Sequence, residues 1–212
     1  MIILAAKALL AYLAGSVSGS MVMGRFRHVD IRQSGSGNAG GTNAFRTQGF
    51  RFALGVVLID IGKGVLAVWL LPRLHLPMPG AEAGAHAVML ACGLAAVVGH
   101  CYPVWYGFRG GKGAATAVGA LLVIQPLVLL PMIATWLLVL VATGWVGLAT
   151  ILAALSLIPA FAWLDGVGMD LTFAVLLALF VVFTHRSNIA RMMAGTEHRF
   201  ERIRIVNWFG GR

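Results

Sequence analysis

The stretch GAATAVGALLVIQPLVLLPMIATWLLVLVATGWVGLATILAALSLIPAFAWL, residues 113–164, decides the fold, because its fifty-two positions contain no acidic or basic side chain. As one continuous helix it would run about 78 Å, more than twice the ~30 Å hydrocarbon thickness of a bilayer. It must therefore turn, and the stretch from Gln125-Pro126 to Pro131 and the pair Thr143-Gly144 supply breaks. The rest of the chain agrees: 59% of its 212 residues are hydrophobic, 11% are charged, and the mean hydropathy is +0.88. That composition leaves too little polar surface for a soluble domain. The expectation is an all-α integral membrane protein, a single domain over residues 1–212.

Further spans lie on either side. Ile2 to Met23 reads as the first, with small residues from Gly15 to Ser20 suited to close helix contact and Lys7 placed to snorkel. Its start has the length of a signal peptide but no basic n-region, so a retained span is expected. Phe52 to Leu71 carries Asp60 and Lys63, an i,i+3 pair that is costly at that depth unless the two meet inside the bundle. Such a salt bridge serves structure or function equally well. Pro72 to Glu82 reads as a loop, Ala83 to Val98 as a span, Asp165 to Asp170 as a loop and Leu171 to Thr184 as the last span. Cys92 and Cys101 have neither metal-ligand nor disulfide spacing and read as small apolar fillers.

Three polar islands interrupt the apolar sequence: Ser34 to Arg46, Arg109 to Gly113, and His185 to Arg191. If the last two share a side, the charge-free run crosses an odd number of times. Three crossings of ~17 residues fit the lower limit for a span. That makes about seven transmembrane helices, some short; five, with one long tilted helix or a re-entrant pair, is the alternative. On this topology thirteen of the sixteen Lys and Arg lie on one side. They are Arg25, Arg27, Arg32, Arg46, Arg51, Arg109, Lys112, Arg186, Arg191, Arg199, Arg202, Arg204 and Arg212. The positive-inside rule then puts the islands in the cytoplasm and the N-terminus outside. The net charge of +9 is spread over short loops, which points to anionic headgroups or substrates and away from nucleic acid.

The first island combines small hydroxyls, carboxamides, glycines and an arginine, the makings of a nest for a phosphate-like oxyanion, although such loops also serve as plain connectors. The second resembles half a P-loop but lacks its first glycine and has Gly113 after Lys112, so an NTPase is excluded. What remains is a lysine on glycines at a helix N-terminus, a place that favours an anion. In the third, His185, Asn188 and Arg191 recur every three residues on one stripe. No His/Cys/Asp/Glu cluster has metal-ligand spacing, and no nucleophile elbow or His–carboxylate pair is present, so neither a metal nor a covalent intermediate is expected.

Together the islands resemble the bacterial acyl-phosphate:glycerol-3-phosphate acyltransferases. The carrying residues are Gly35-Ser-Gly-Asn-Ala-Gly-Gly-Thr-Asn43 with Arg46, Gly99-His-Cys-Tyr-Pro103 with Gly110-Gly-Lys-Gly-Ala-Ala-Thr116, and His185 to Arg191 with Gly195-Thr-Glu197. Asp60 with Lys63-Gly64 also matches. Ala39 replaces a proline of the family pattern and Gly41 an alanine, and a serine-bearing segment is represented by Gly147 and Thr150.

The resemblance implies transfer of a fatty acyl group from acyl phosphate to the 1-hydroxyl of sn-glycerol 3-phosphate, giving lysophosphatidic acid and phosphate, with no cofactor. It implies one cytoplasm-facing site formed by all three islands in the bacterial cytoplasmic membrane, and a peripheral partner enzyme that makes the acyl phosphate. Catalytic roles fall to Ser36, Lys112, His185 and Asn188. Substrate binding falls to Gly37, Asn38, Gly40, Thr42, Asn43, Arg46, Gly110, Gly111, Gly113, Thr150 and Arg191. His185 acts either as general base or as the group that orients the hydroxyl while the donor phosphate takes the proton. Glu197 is either catalytic or a partner of Arg191 or Arg186. The competing function is a small anion transporter with basic loops.

Overall fold

A computed structural model describes residues 1–77 and 83–201. Residues 78–82 of the expected Pro72–Glu82 loop, and Arg202, Arg204 and Arg212 of the basic tail, lie outside the described residues. The described chain is helical, as expected, and divides into two compact units, Met1–Pro126 and Leu127–Arg212.

In the first unit α1 (Ile2–Gly15) and α2 (Gly19–Arg27) form one 26-residue apolar span, α3 (Gly41–Gln48) is a short helix, and α4 (Phe50–Leu70), α5 (Ala85–Cys101) and α6 (Ala114–Ile124) follow. Helix α4 is the hub, touching α1, α2, α3, α5 and α6. Its contact with α6 is backbone to backbone: a methyl on Gly64 would overlap the Thr116 carbonyl, and one on Gly119 the Ile61 carbonyl. Gly15 meets Ala96 and Gly99 meets Tyr12 in the same way between α1 and α5. Small residues thus supply the close van der Waals packing that lipid-embedded helices need. Cys92 and Cys101 are buried free thiols, as expected of fillers. Lys7 is buried, and its Nζ donates to the Pro72 carbonyl at 3.1 Å.

The first span departs from the expected continuous Ile2–Met23 helix. It breaks at Ser16–Ser18, where Ser18 is extended (φ −89°, ψ 120°). The cause lies on α4. Asp60 and Lys63 do pair, Nζ to Oδ1 at 2.9 Å, with both side chains buried. The carboxylate also accepts the Gly19 N–H at 3.1 Å, and the ammonium donates to the Val17 carbonyl at 2.7 Å. The break exposes an orphan N–H at the start of α2 and an orphan carbonyl at the end of α1, and each is met by a charge of the matching sign. Irregular backbone is tolerated at membrane depth only when satisfied in this manner.

In the second unit α7 (Leu129–Thr143), α8 (Val146–Leu164) and α9 (Met169–Thr184) pack in sequence order, and α10 (Arg186–Met193) rests on α8 and α9. The breaks in the charge-free run fall where expected: α6 ends before Gln125-Pro126, and α7 ends at Gly144 in the left-handed conformation (φ 74°). Among the described residues five segments are long and apolar enough to cross a membrane, and α9 with α10, bent by 52°, makes a sixth if counted as one span. The remaining apolar helix, α6, has 11 residues, about 16 Å, half the hydrocarbon thickness. Leu58 and Leu66 of α4 and Leu130 and Leu138 of α7 are exposed, the pattern of side chains that face lipid.

Candidate active site

In the first unit the Ser34–Gly40 loop is wound around one side chain. Asn43 is 1% exposed; its Nδ2 donates to the carbonyls of Ile31, Ser34 and Asn38 at 2.9, 3.1 and 3.0 Å, and its Oδ1 accepts the Ser36 N–H at 2.9 Å. Gly35 sits at φ 61°, and a methyl there would overlap Asn43 Oδ1, so glycine is required. Asn43, expected against the substrate, is thus spent in holding the loop. Ser36 and Gly37 stand exposed at its tip, Asn38, Gly40 and Thr42 are half-buried, and Arg46 lies half-buried one turn beyond Thr42 on α3.

The first and second islands meet. Ala39 N–H donates to the Gly110 carbonyl at 3.5 Å. Arg32, counted in the sequence only among the loop cations, fastens them more firmly. Its Nε and Nη2 grip the Asp30 carboxylate at 3.0 and 2.8 Å, and its Nη1 donates to the carbonyls of Tyr106 and Arg109 at 3.1 and 3.2 Å. The hydrogen bond from Arg32 holds the Asp30 carboxyl below its ordinary pKa, and the same bond raises that of the guanidinium.

Gly110 and Gly111 do not offer their N–H groups as a phosphate nest. Gly110 N–H donates to the Cys101 carbonyl at 3.2 Å and Gly111 N–H to the His100 carbonyl at 3.1 Å. What glycine supplies here is proximity, since a methyl on Gly111 would overlap the His100 imidazole. Lys112 follows, half-buried, and Gly113 is the N-cap of α6, a helix start with no side-chain cap. His100, two residues past the expected end of the Ala83–Val98 span, belongs to the last turn of α5 and is buried.

In the second unit His185 lies at the bend between α9 and α10. Its Nδ1 is 2.8 Å from the Val181 carbonyl, which can only accept, so Nδ1 carries a proton and the neutral ring has its lone pair on Nε2. Asn188 Nδ2 donates to Glu197 Oε1 at 2.8 Å, and Arg191 Nε donates to Glu197 Oε2 at 2.7 Å. Glu197 is therefore the partner of Arg191 and equally of Asn188. Asn188 lies directly over Gly147, where a methyl would overlap its carboxamide. Thr150, one turn on, donates to the Val146 carbonyl at 2.9 Å and accepts from Trp136 Nε1 at 3.3 Å, so its hydroxyl already has two partners.

Apolar helices of membrane-crossing length, with a basic glycine loop braced by Arg32 in the first unit and an Asn188–Glu197–Arg191 cluster in the second, define an integral membrane protein. A model of the glycerol-3-phosphate acyltransferase family matches residues 5–195. A glycerol-3-phosphate acyltransferase of Symbiobacterium thermophilum is 43% identical, the match covering 91% of this chain and 92% of that one. Two crystal structures of PlsY, an integral membrane glycerol 3-phosphate acyltransferase, superimpose on 93% of this chain and 95% of theirs. The glycerol 3-phosphate form has a TM-score of 0.79 at 33% identity, and the lysophosphatidic acid form 0.78 at 32%. The chain belongs to the glycerol-3-phosphate acyltransferase family.

Proposed function

We propose that this protein transfers a fatty acyl group from acyl phosphate to the 1-hydroxyl of sn-glycerol 3-phosphate. The observation that carries the reading is the likeness to PlsY in both a glycerol 3-phosphate and a lysophosphatidic acid form, the acceptor of such a transfer and its acylated product. The hydroxyl oxygen attacks the acyl carbonyl, the bond from carbonyl carbon to phosphate oxygen breaks, and phosphate departs with the hydroxyl proton. Because the donor is a mixed anhydride, its leaving group needs no further activation, and positioning with charge stabilisation supplies the rate.

Lys112 and Arg46 hold the phosphates, with the backbone around Ser36 to Gly40 and Thr42 completing the cradle. Gly110, Gly111 and Asn43 contribute by shaping the loops. The lone pair on His185 Nε2 accepts from the attacking hydroxyl and orients it, and Asn188 is fixed beside it by Glu197. Arg191 keeps that carboxylate in place, while Gly113 sets the start of α6 and Thr150 ties back to the Val146 carbonyl at the start of α8. No cofactor takes part. The distribution of Lys and Arg supports a cytoplasm-facing reaction in a bacterial inner membrane, with the N-terminus outside. A peripheral enzyme that makes the acyl phosphate is the matching donor source.

The test is purified protein in detergent or lipidic cubic phase, given a defined acyl phosphate and glycerol 3-phosphate. Equal amounts of lysophosphatidic acid and phosphate are expected. Movement of an anion into vesicles with no consumption of either substrate would establish the transporter instead.

A further inference from the structure

The buried ion pair does more than mend the break in the first span. Lys63 Nζ lies 2.9 Å from His100 Nδ1 as well as 2.9 Å from Asp60 Oδ1 and 2.7 Å from the Val17 carbonyl. The same Nδ1 is 3.3 Å from Asp60 Oδ1, so Lys63 and Asp60 together hold the imidazole by one ring nitrogen and leave the other, Nε2, facing the loop. That nitrogen is the atom against which Gly111 rests, since a methyl on Gly111 would strike Nε2 first. The carbonyls of His100 and Cys101 at the same time receive the N–H groups of Gly111 and Gly110. The His100 ring and the backbone carbonyls of His100 and Cys101 therefore seat the two glycines that precede Lys112.

We infer that His100, locked by Lys63 and Asp60, is a positioning residue that sets the height of the Gly110–Lys112 loop and so the placement of the Lys112 ammonium. The chain of contacts runs from the Val17 and Gly19 backbone through the α4 charges to the imidazole and then to the loop. A side chain that only filled space would not need anchoring on two charges, and an apolar residue would fill it without the cost of burying them. The inference rests on the acyltransferase reading for what Lys112 holds, but not for the seating of the loop.

Two measurements test it on the intact protein. The first is amide hydrogen exchange in detergent. His100→Asn keeps an acceptor for Lys63 and removes the ring surface, so exchange at Gly110 and Gly111 should quicken at least about tenfold while α8 and α9 are unchanged. Unaltered exchange at the two glycines, or a uniform rise throughout the protein, overturns the inference whether or not any enzyme activity is found. The second is a kinetic cycle. Gly111→Ala should raise the KM of a phosphate-bearing substrate by about tenfold or more in the wild-type background and by less than about threefold beside His100→Asn, which makes room for the methyl. Strictly multiplicative effects, or a fall in kcat alone at unchanged KM, overturn it. An inactive wild type sinks the acyltransferase reading and leaves the exchange measurement to decide this one.

Discussion

Asn188 donates its carboxamide N–H to Glu197 Oε1 at 2.8 Å, and the carboxylate that accepts it is buried and shared with Arg191. The bond gives Asn188 a single orientation, with Nδ2 turned toward Glu197. Hydrogen bonds to a buried carboxylate are among the stronger ones, so the end of α10 and the Gly195–Glu197 turn are held as one piece.

Glu197→Gln should separate the two partners. The new amide oxygen accepts from one, but its NH2 group then faces the other, and donor meets donor. A loss of about 1.5–3 kcal/mol in stability is expected, with a fall in activity as Asn188 loses its anchor. Thermal unfolding in detergent reads the first effect and turnover the second; an unchanged melting temperature would show that the carboxylate carries no weight there.

The Asp30–Arg32 clasp predicts a response to acid. Asp30 is held below its usual pKa in the folded loop, first by the hydrogen bond from Arg32, so its contribution is complete above the unfolded value of ~3.9. It is lost as pH falls through the lower folded value. Asp30→Asn should therefore destabilise the joined loops by up to about 1 kcal/mol at neutral pH, and the gap from wild type should close below pH ~4. Melting temperatures of the two proteins at pH 7 and pH 3 check this; a gap that stays constant with pH contradicts it.

How much of this was legible in the sequence depends on where the cause of each feature lies. The helical turns at Gln125-Pro126 and Gly144 are written locally, in a ring that cannot donate and a residue that tolerates positive φ, and they appear where expected. The break at Ser16–Ser18 has no such signature, because its cause is a pair of charges some forty residues away on α4. The same holds for the glycines. Composition marks Gly110 and Gly111 as donors for an anion, whereas the His100 ring and the carbonyls of His100 and Cys101 show that they are small so that a loop can lie on an imidazole. Asn43 and Glu197 look like ligand groups in a polar motif, yet their hydrogen bonds point into the protein. A list of polar residues does not separate those that face a ligand from those that hold the former in place.

The Asp60–Lys63 pair should behave as a coupled unit with a residue of its own cost. Lys63→Met leaves a carboxylate 1% exposed without its counter-charge, a change that commonly loses about 3–5 kcal/mol. Adding Asp60→Leu should recover part of this but not all, since the Val17 carbonyl and the Gly19 N–H then lack partners, worth about 1–3 kcal/mol each. Denaturation in mixed micelles of the two single variants and the double variant measures the coupling. Additive losses would mean that the two charges act independently.

His185 decides where the proton goes. Its Nδ1–H is tied to the Val181 carbonyl, a neutral acceptor that fixes the tautomer but provides much less stabilisation to an imidazolium than a carboxylate would. On the proposed mechanism the ring accepts a hydrogen bond at Nε2 and orients the hydroxyl, while the departing phosphate, itself basic, takes the proton. His185→Ala should then lower kcat by about 10²–10³ and leave the shape of the pH–rate profile unchanged. A general base would instead show in the wild type as a limb rising around pH ~6–7, the range of an ordinary imidazole, and that limb would vanish in the variant. Profiles of kcat for both proteins between pH 5 and 9, taken at saturating acyl phosphate, separate the two routes, and disappearance of such a limb would assign the proton to His185.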